Sequence, residues 1–150
     1  MHLSSDEVKQ YHTMRGPFLL IDEIEYVEPG VEAVGKKKLP EDEWFFINHF
    51  PGNPVMPGVL QLEAMNQTGA IIIKTLPEYR DRTIYFVSVK NLKSITAVRP
   101  GKDLMLKVKL ESLKHGIAKF HGEAYVGEQI VSRADFVMGV SGEFLSPIVG

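Results

Sequence analysis

The segment from Pro57 to Leu76 constrains the fold of this chain more than any other feature. Apolar residues from Val59 onwards fall on nearly every face of a helix, and a helix that is hydrophobic all round has to be buried. Pro57 suits the first turn of such a helix. Polar and charged side chains interrupt the stretch, which argues against a membrane span. The rest of the chain is therefore expected to wrap this helix.

Alternating apolar and polar residues predict strands on both sides of the helix. Leu104 to Glu111 alternates regularly, which is typical of a half-buried strand, and Gly127-Glu128 predicts a tight hairpin. A capping box at Ser4 and Glu7 predicts a short first helix at about 5–12. This order of elements predicts an α+β fold, in which an antiparallel sheet surrounds one helix. The predicted strands are 18–27, 31–39, 84–89, 104–111, 118–126 and 129–140.

Length and charge limit the kinds of function. The 150 residues suit a single domain spanning 1–150, and a formal charge of −2 disfavours nucleic-acid binding. The absence of cysteine excludes a disulfide framework, a thiolate nucleophile and a Cys-ligated metal. The polar N-terminus lacks the pattern of a signal peptide, so we expect a soluble cytoplasmic protein. The three lysines at 36–38 are expected at a solvated strand end.

A proline-rich segment at 40–57 precedes the buried helix and carries His49. Its four prolines predict a long loop with a fixed path, and loops of this length are usually functional. Glu63 lies inside the apolar helix, where a carboxylate is costly unless it is paired, hydrogen-bonded or protonated. A neutral imidazole and a carboxylic acid together form a general acid–base pair. Gln67 lies on the same face, either to orient Glu63 or merely to satisfy it.

Gly58 stands at the start of the buried helix. The first amides of a helix lack intrahelical acceptors, and together with the helix dipole they stabilise a developing oxyanion. A glycine there lets a ligand approach the backbone, or it serves the turn alone. The other histidines lie apart from carboxylates at metal-ligand spacing, and the common nucleotide-binding and metalloprotease motifs are absent. We therefore expect neither a metal nor a cofactor.

One long motif matches a known family. It consists of HFPGNPVMPGVL at 49–60, followed by EAM at 63–65 and by Gln67. It resembles the signature of the (3R)-hydroxyacyl-acyl-carrier-protein dehydratases, the FabZ and FabA enzymes of fatty acid synthesis. The likeness extends over roughly residues 15–140. The resemblance implies a hot-dog fold, an antiparallel sheet around one long central helix, in agreement with the pattern described above.

The resemblance also implies roles for particular residues. His49 is implied as the base that removes the α-proton of a 3-hydroxyacyl thioester, and Glu63 as the acid that protonates the departing hydroxyl. The amide of Gly58 is implied to hold the thioester carbonyl. A glutamate at 63 resembles the FabZ branch, since the FabA branch has aspartate there. The substrate-binding residues that the resemblance suggests are Gly58, Val59, Phe50 and Gln67.

The resemblance further implies the partners. The substrate is an acyl chain linked through phosphopantetheine to an acyl carrier protein, with no metal, cofactor, nucleic acid or membrane involved. Relatives form at least a homodimer, often a trimer of dimers, in which the histidine of one subunit meets the acid of the other. Carrier proteins of this pathway are acidic, so a local basic rim is expected to dock them. The candidates for this rim are Lys90, Lys93, Arg99, Lys102 and Arg133.

The chain departs from the family pattern at a few positions. Asn48 and Asn66 replace a usual glycine and a usual alanine, and the segments 14–16 and 90–95 also differ. In the family these regions help to shape the acyl tunnel and the carrier surface, so a dehydratase of a specialised polyketide or aryl-polyene pathway is an alternative. Two further alternatives are an acyl thioesterase and a non-catalytic acyl-binding module.

Overall fold

The computed structural model describes residues 1–142, and the end of the predicted domain, 143–150, lies outside the described residues. Six antiparallel strands form one sheet in the order β1-β2-β4-β5-β6-β3 around the long helix α3. The predicted α+β hot-dog architecture is confirmed. The helices are α1 (Ser5–Tyr11), α2 (Trp44–Asn48) and α3 (Gly58–Lys74), with 3₁₀ turns at Gly16–Phe18 and Pro77–Tyr79. The strands are β1 (Glu23–Glu28), β2 (Glu32–Lys37), β3 (Ile84–Ser94), β4 (Leu104–Lys114), β5 (Ile117–Val126) and β6 (Gln129–Val140).

Helix α3 is buried on nearly every face, as its sequence predicts. Every residue from Gln61 to Ile73 is buried except Glu63, which is half-buried. Glycines let the helix and the sheet approach closely. A Cβ on Gly69 would lie 3.2 Å from the ring of Phe120 on β5, which is tighter than ordinary packing. The sheet therefore packs closely against the helix, and this packing fixes the position of Glu63.

The first strand begins later than predicted. The pattern at 18–27 predicts a strand from Phe18, but β1 starts only at Glu23. The reason is that the side chain of Gln67 on α3 forms hydrogen bonds with the backbone groups that would otherwise pair with a neighbouring strand. Gln67 Nε2 donates to the carbonyl of Phe18 at 2.6 Å, and the amide of Leu20 donates to Gln67 Oε1 at 2.8 Å.

The proline-rich segment at 40–57 contains a short helix that the sequence analysis missed. Helix α2 buries Phe45 and Phe46, whose rings meet edge to face at 4.7 Å. Its start is held by Lys37, whose ammonium pairs with Glu43 at 2.9 Å. Lys37 is buried, so the expectation of a solvated run of lysines is wrong at this position. The ion pair fixes the segment that leads to His49.

Strand β3 forms one edge of the sheet. Its 11 residues pair only with β6 in the described part of the chain. Phe86 and Val87 on this strand are 44% and 47% exposed. A long edge with exposed apolar side chains is a template for pairing with another strand. Among residues 1–142, no helix combines the length and the hydropathy that a membrane crossing requires.

Candidate active site

The loop after α2 fixes both the position and the tautomer of His49. Its Nδ1 lies 2.8 Å from the carbonyl oxygen of Val55. A carbonyl can only accept a hydrogen bond, so Nδ1 carries the proton and Nε2 keeps a free lone pair. The ring is half-buried and stacks on Phe50 with centroids 4.0 Å apart. Arg99 braces the same loop, because its Nη1 donates to Asn53 Oδ1 at 2.6 Å.

Two amide side chains hold the carboxylate of Glu63. Asn66 Nδ2 donates to Oε1 at 3.2 Å, and Gln67 Nε2 donates to Oε2 at 3.3 Å. Gln67 cannot turn over, because both ends of its amide are committed to the backbone at Phe18 and Leu20. Gln67 is therefore a permanent donor to Glu63. It lies beside this carboxylate, as the sequence predicts.

Asn66 is a partner of Glu63 that the sequence analysis did not assign. Its side chain is only 4% exposed, and its Oδ1 is buried without a hydrogen-bond partner in residues 1–142. No competing bond therefore fixes the orientation of this amide. The signal was visible as an asparagine three residues from Glu63, at a position where the resembling family usually has alanine.

Gly58 begins α3, with Pro57 as its N-cap. Within residues 1–142, no acceptor takes a hydrogen bond from the amides of Gly58 and Val59, so both N–H groups are available to a ligand. Gly58 has no positive φ, and a Cβ there would meet nothing nearer than Ser94 Cβ at 3.8 Å. Neither a turn nor packing within the chain requires a glycine here, which favours close approach of a ligand.

A cavity of about 420 Å³ opens beside Glu63. It runs along one face of α3, between the N-terminal segment and the start of β3. His49 is not among its lining residues in the described part of the chain. Phe50 and Val59 also lie outside it and are 53% and 65% exposed. The α3 residues that line the cavity are Glu63, Asn66, Gln67, Ala70 and Lys74.

His12 forms part of the cavity wall. It is 4% exposed, and its Nε2 donates to the backbone carbonyl of Gln67 at 2.9 Å. Burial lowers the pKa of His12 to about 4, and the charge of Lys74 contributes in the same direction. At neutral pH the ring is therefore uncharged. The hydrogen bond from His12 supports the backbone at Gln67, and the uncharged ring is not positioned as a proton donor to a ligand.

A third histidine lies outside this region, on the outer face of the sheet. His121 contacts Asp135 through Nδ1 at 2.7 Å and Glu123 through Nε2 at 3.0 Å. Both partners are carboxylates, so the imidazole satisfies both contacts only when it is doubly protonated. Hydrogen bonds to Glu123 and Asp135 raise the pKa of His121. Across residues 1–142 no cluster of histidine and acidic side chains is arranged to hold a metal ion.

Comparison with known proteins relates the chain to one family. Residues 13–135 match the model of the FabA-like domain. The chain is 42% identical over 139 residues to the 3-hydroxyacyl-acyl-carrier-protein dehydratase FabZ of Chloroflexus aggregans, which covers 93% of this chain and 96% of that protein. It is 45% identical over 115 residues to the FabZ of Ligilactobacillus salivarius, covering 77% of this chain and 82% of that one.

Solved structures share the fold. A chain of the dehydratase heterocomplex ApeI:P from Xenorhabdus doucetiae superposes with a TM-score of 0.76 over 91% of both chains, at 14% identity. A hypothetical thioesterase with coenzyme A from Streptococcus pneumoniae has a TM-score of 0.63 at 15% identity, over 79% of this chain and 84% of that one. At such identities the likeness concerns architecture alone.

Proposed function

Because this chain belongs to the FabA-like domain family, we propose that it is a 3-hydroxyacyl-acyl-carrier-protein dehydratase of the FabZ type. It removes water from a (3R)-hydroxyacyl thioester and forms the trans-2-enoyl thioester in fatty acid biosynthesis. The observation that carries the proposal is the match to FabZ enzymes over nearly the full length of both chains. The glutamate at 63 agrees with it.

His49 is the proposed base. Its Nδ1 proton is committed to the Val55 carbonyl, so Nε2 is the atom that takes the α-proton of the substrate. The bond to Val55 also stabilises the imidazolium that forms, because Nδ1–H becomes a stronger donor when the ring is charged. General bases of this kind contribute about 10²–10⁴-fold to rate.

Glu63 is the proposed acid, and its two amide partners have different tasks. The acid starts protonated and ends ionised, so its hydrogen-bonding needs change during the reaction. Gln67 is fixed as a donor and orients the carboxyl group throughout. Asn66 has no other partner, so its amide can accept from the protonated acid and, after turning over, donate to the carboxylate. Asn66 is thus a positioning residue for both states of Glu63.

The amides at the start of α3 are the proposed site for the thioester carbonyl. When the α-proton leaves, negative charge develops on the carbonyl oxygen. The free N–H groups of Gly58 and Val59 and the positive end of the helix dipole stabilise that charge. The exposed side chains of Val59 and Phe50 are the proposed substrate contacts near this end.

We further propose that the working enzyme is a homodimer at least, and a trimer of such dimers. His49 does not line the cavity that Glu63 lines, so one chain alone does not supply both groups to that cavity. Pairing of two β3 edges covers the exposed apolar side chains of Phe86 and Val87. The same arrangement lets His49 of one copy reach Glu63 of the other.

The proposed partner is an acyl carrier protein in the cytoplasm, and the chain is proposed to act as a single domain. Two of the candidate docking residues, Lys93 and Arg133, face each other on β3 and β6 and are exposed. Arg99 instead braces the catalytic loop through Asn53. A local pair of cations suits an acidic carrier despite the net charge of −2.

The proposal is tested by incubating the purified protein with 3-hydroxyacyl carrier substrates of several chain lengths. Mass spectrometry should show loss of water with the thioester intact. Release of free thiol would identify an acyl thioesterase instead. Binding without any chemistry, at every chain length, would identify an acyl-binding module and refute the dehydratase.

A further inference from the structure

The cavity beside Glu63 changes character along its length. On α3, Ala70 stands between Glu63 and Lys74, and the apolar side chains of Ile84 and Met138 also line the cavity. Further along it is lined by Lys74, Arg80 and Arg82, with Asp81 as the single carboxylate beside them. A site with an apolar middle and a cationic end is unsuited to a plain hydrocarbon chain, because the methyl end would displace water from the charged groups without replacing its hydrogen bonds.

Lys74 lies at a defined distance from the proposed acid. Glu63 and Lys74 occupy nearly the same face of α3, separated by eleven residues, or about 16 Å at the helical rise. Ala70 between them leaves room for a ligand beside the helix. The cavity therefore connects the acid at one end with a cation at the other.

Among residues 1–142 the cations at this end form no ion pair, although Arg82 Nη1 donates to the carbonyl of Ser141 at 3.2 Å. No carboxylate lies within 4.0 Å of Lys74, Arg80 or Arg82 in residues 1–142. Burial lowers the pKa of Lys74, while Asp81 partly offsets this through its charge. The Arg80 guanidinium lies over the ring of Tyr11, 4.7 Å from its centroid. A half-buried ammonium without an ion pair gains from an anionic ligand.

The direction of the acyl chain follows from the proposed mechanism. The substrate presents its 3-hydroxyl to Glu63, and in the proposed dimer its α-carbon lies against His49 of the second copy, outside the cavity that this chain lines by itself. The carbons beyond the third therefore enter the cavity and run along α3 towards Lys74. The distal end of the chain meets the cations.

We propose that this enzyme acts on 3-hydroxyacyl chains whose distal end carries a carboxylate, bound by Lys74 with support from Arg80 and Arg82. This inference rests on the proposed dehydratase function. Ala70, Ile84 and Met138 accommodate the methylene groups, and the carboxylate replaces the water that solvates Lys74. The cavity thus selects both the length of the chain and the charge of its end.

The test compares two series of 3-hydroxyacyl pantetheine thioesters, matched in length and ending in a methyl group or in a carboxylate. For the length that reaches Lys74, we expect kcat/KM to be at least about tenfold higher with the carboxylate, the low end for a charge-assisted hydrogen bond. Lys74→Met should abolish this preference and Lys74→Arg should retain it. Lys114→Met, which removes an exposed lysine that does not line the cavity, should behave like the wild type.

A second experiment separates this inference from the proposed function. Calorimetry measures the binding of unreactive saturated thioesters that end in a methyl group or in a carboxylate. Tighter binding of the carboxylate series by the wild type, lost in Lys74→Met, supports the inference even if no thioester is dehydrated. A protein that dehydrates both series equally at every length, or whose preference survives Lys74→Met, overturns it and leaves the dehydratase standing.

Discussion

At the residue scale, the proposed reaction depends on two side chains with different surroundings. His49 is held in one tautomer by Val55, and Glu63 is held by two amides. We expect His49→Ala and Glu63→Gln each to lower turnover by at least about 10²-fold, the low end for general acid–base catalysis. Steady-state kinetics on a carrier-bound substrate measures this, and circular dichroism checks that both variants remain folded.

Two substitutions serve as matched controls for these variants. His2→Ala and Glu41→Gln make the same chemical changes at exposed positions, and both should retain normal turnover. If His49→Ala or Glu63→Gln retained it as well, the assigned roles would be wrong.

The expected effect of changing Asn66 is smaller, because its proposed role is to position the proposed acid, Glu63. Asn66→Ala should lower kcat by about two- to tenfold, the range for one ordinary hydrogen bond, with little change in KM. Asn66→Asp places a second carboxyl group beside Glu63, so one proton is shared. The alkaline limb of the pH–rate profile should then move to higher pH.

The control for Asn66 is another buried polar group without a partner in the described residues, the hydroxyl of Ser132. Ser132→Ala should leave kcat and the pH profile unchanged. A purely structural role for Asn66 predicts lower thermal stability of Asn66→Ala with an unaltered pH profile in Asn66→Asp, and that outcome would contradict the positioning role.

At the element scale, the outer face of the sheet carries a pH-dependent cluster that joins β5 and β6. The pKa of His121 is raised by Glu123 and Asp135, and hydrogen bonds from His121 lower the pKa of both carboxyl groups. Stability from the imidazolium is complete below its ordinary pKa of 6.5 and is lost as pH rises through the raised value. Stability from the carboxylates is lost as pH falls through their lowered values.

The difference in unfolding free energy between wild type and His121→Gln should therefore be greatest at about pH 5–6.5 and smaller at pH 9. Urea denaturation at several pH values measures it. His115→Asn, at an exposed histidine in the β4–β5 turn, should show no such dependence. A difference for His121→Gln that stays constant from pH 5 to pH 9 would exclude the charged pairing.

Some elements of the fold are predictable from the sequence and others are not. Helix α3 and the β5–β6 hairpin are local features, set by apolar patterning and by the Gly127-Glu128 turn, and both predictions are confirmed. The start of β1 depends on Gln67, and the burial of Lys37 depends on Glu43. These contacts join residues from separate elements, so no local pattern contains them.

In the candidate site, likewise, some features follow from the local sequence and others only from the fold. The motif places His49, Gly58 and Glu63 in the chain, and Gln67 is expected beside the acid. The tautomer of His49 depends on the fold of the loop around Val55. The free orientation of Asn66 depends on the packing around its Oδ1. Both features depend on residues that only the fold brings together, so no local sequence pattern contains them.

At the scale of the whole molecule, the proposed carrier surface makes a separable prediction. Lys93→Glu combined with Arg133→Glu reverses two neighbouring exposed charges on β3 and β6. We expect a higher apparent KM for the carrier-bound substrate and an unchanged KM for a short pantetheine thioester, since only the former needs docking. Reversal of Lys9 and Lys114 is the control. Equal effects on both substrates would argue against docking at this surface.

The dehydratase site is proposed to be built by two copies of the chain together, and mixing two inactive variants tests this sharing. His49→Ala chains are refolded with Glu63→Gln chains, and dehydration is assayed after native mass spectrometry has confirmed mixed dimers. A mixed dimer has one site with both defects and one intact site, so random mixing should restore activity to about a quarter of all sites. If mixed dimers form and the mixture is no more active than its parents, the shared site is contradicted.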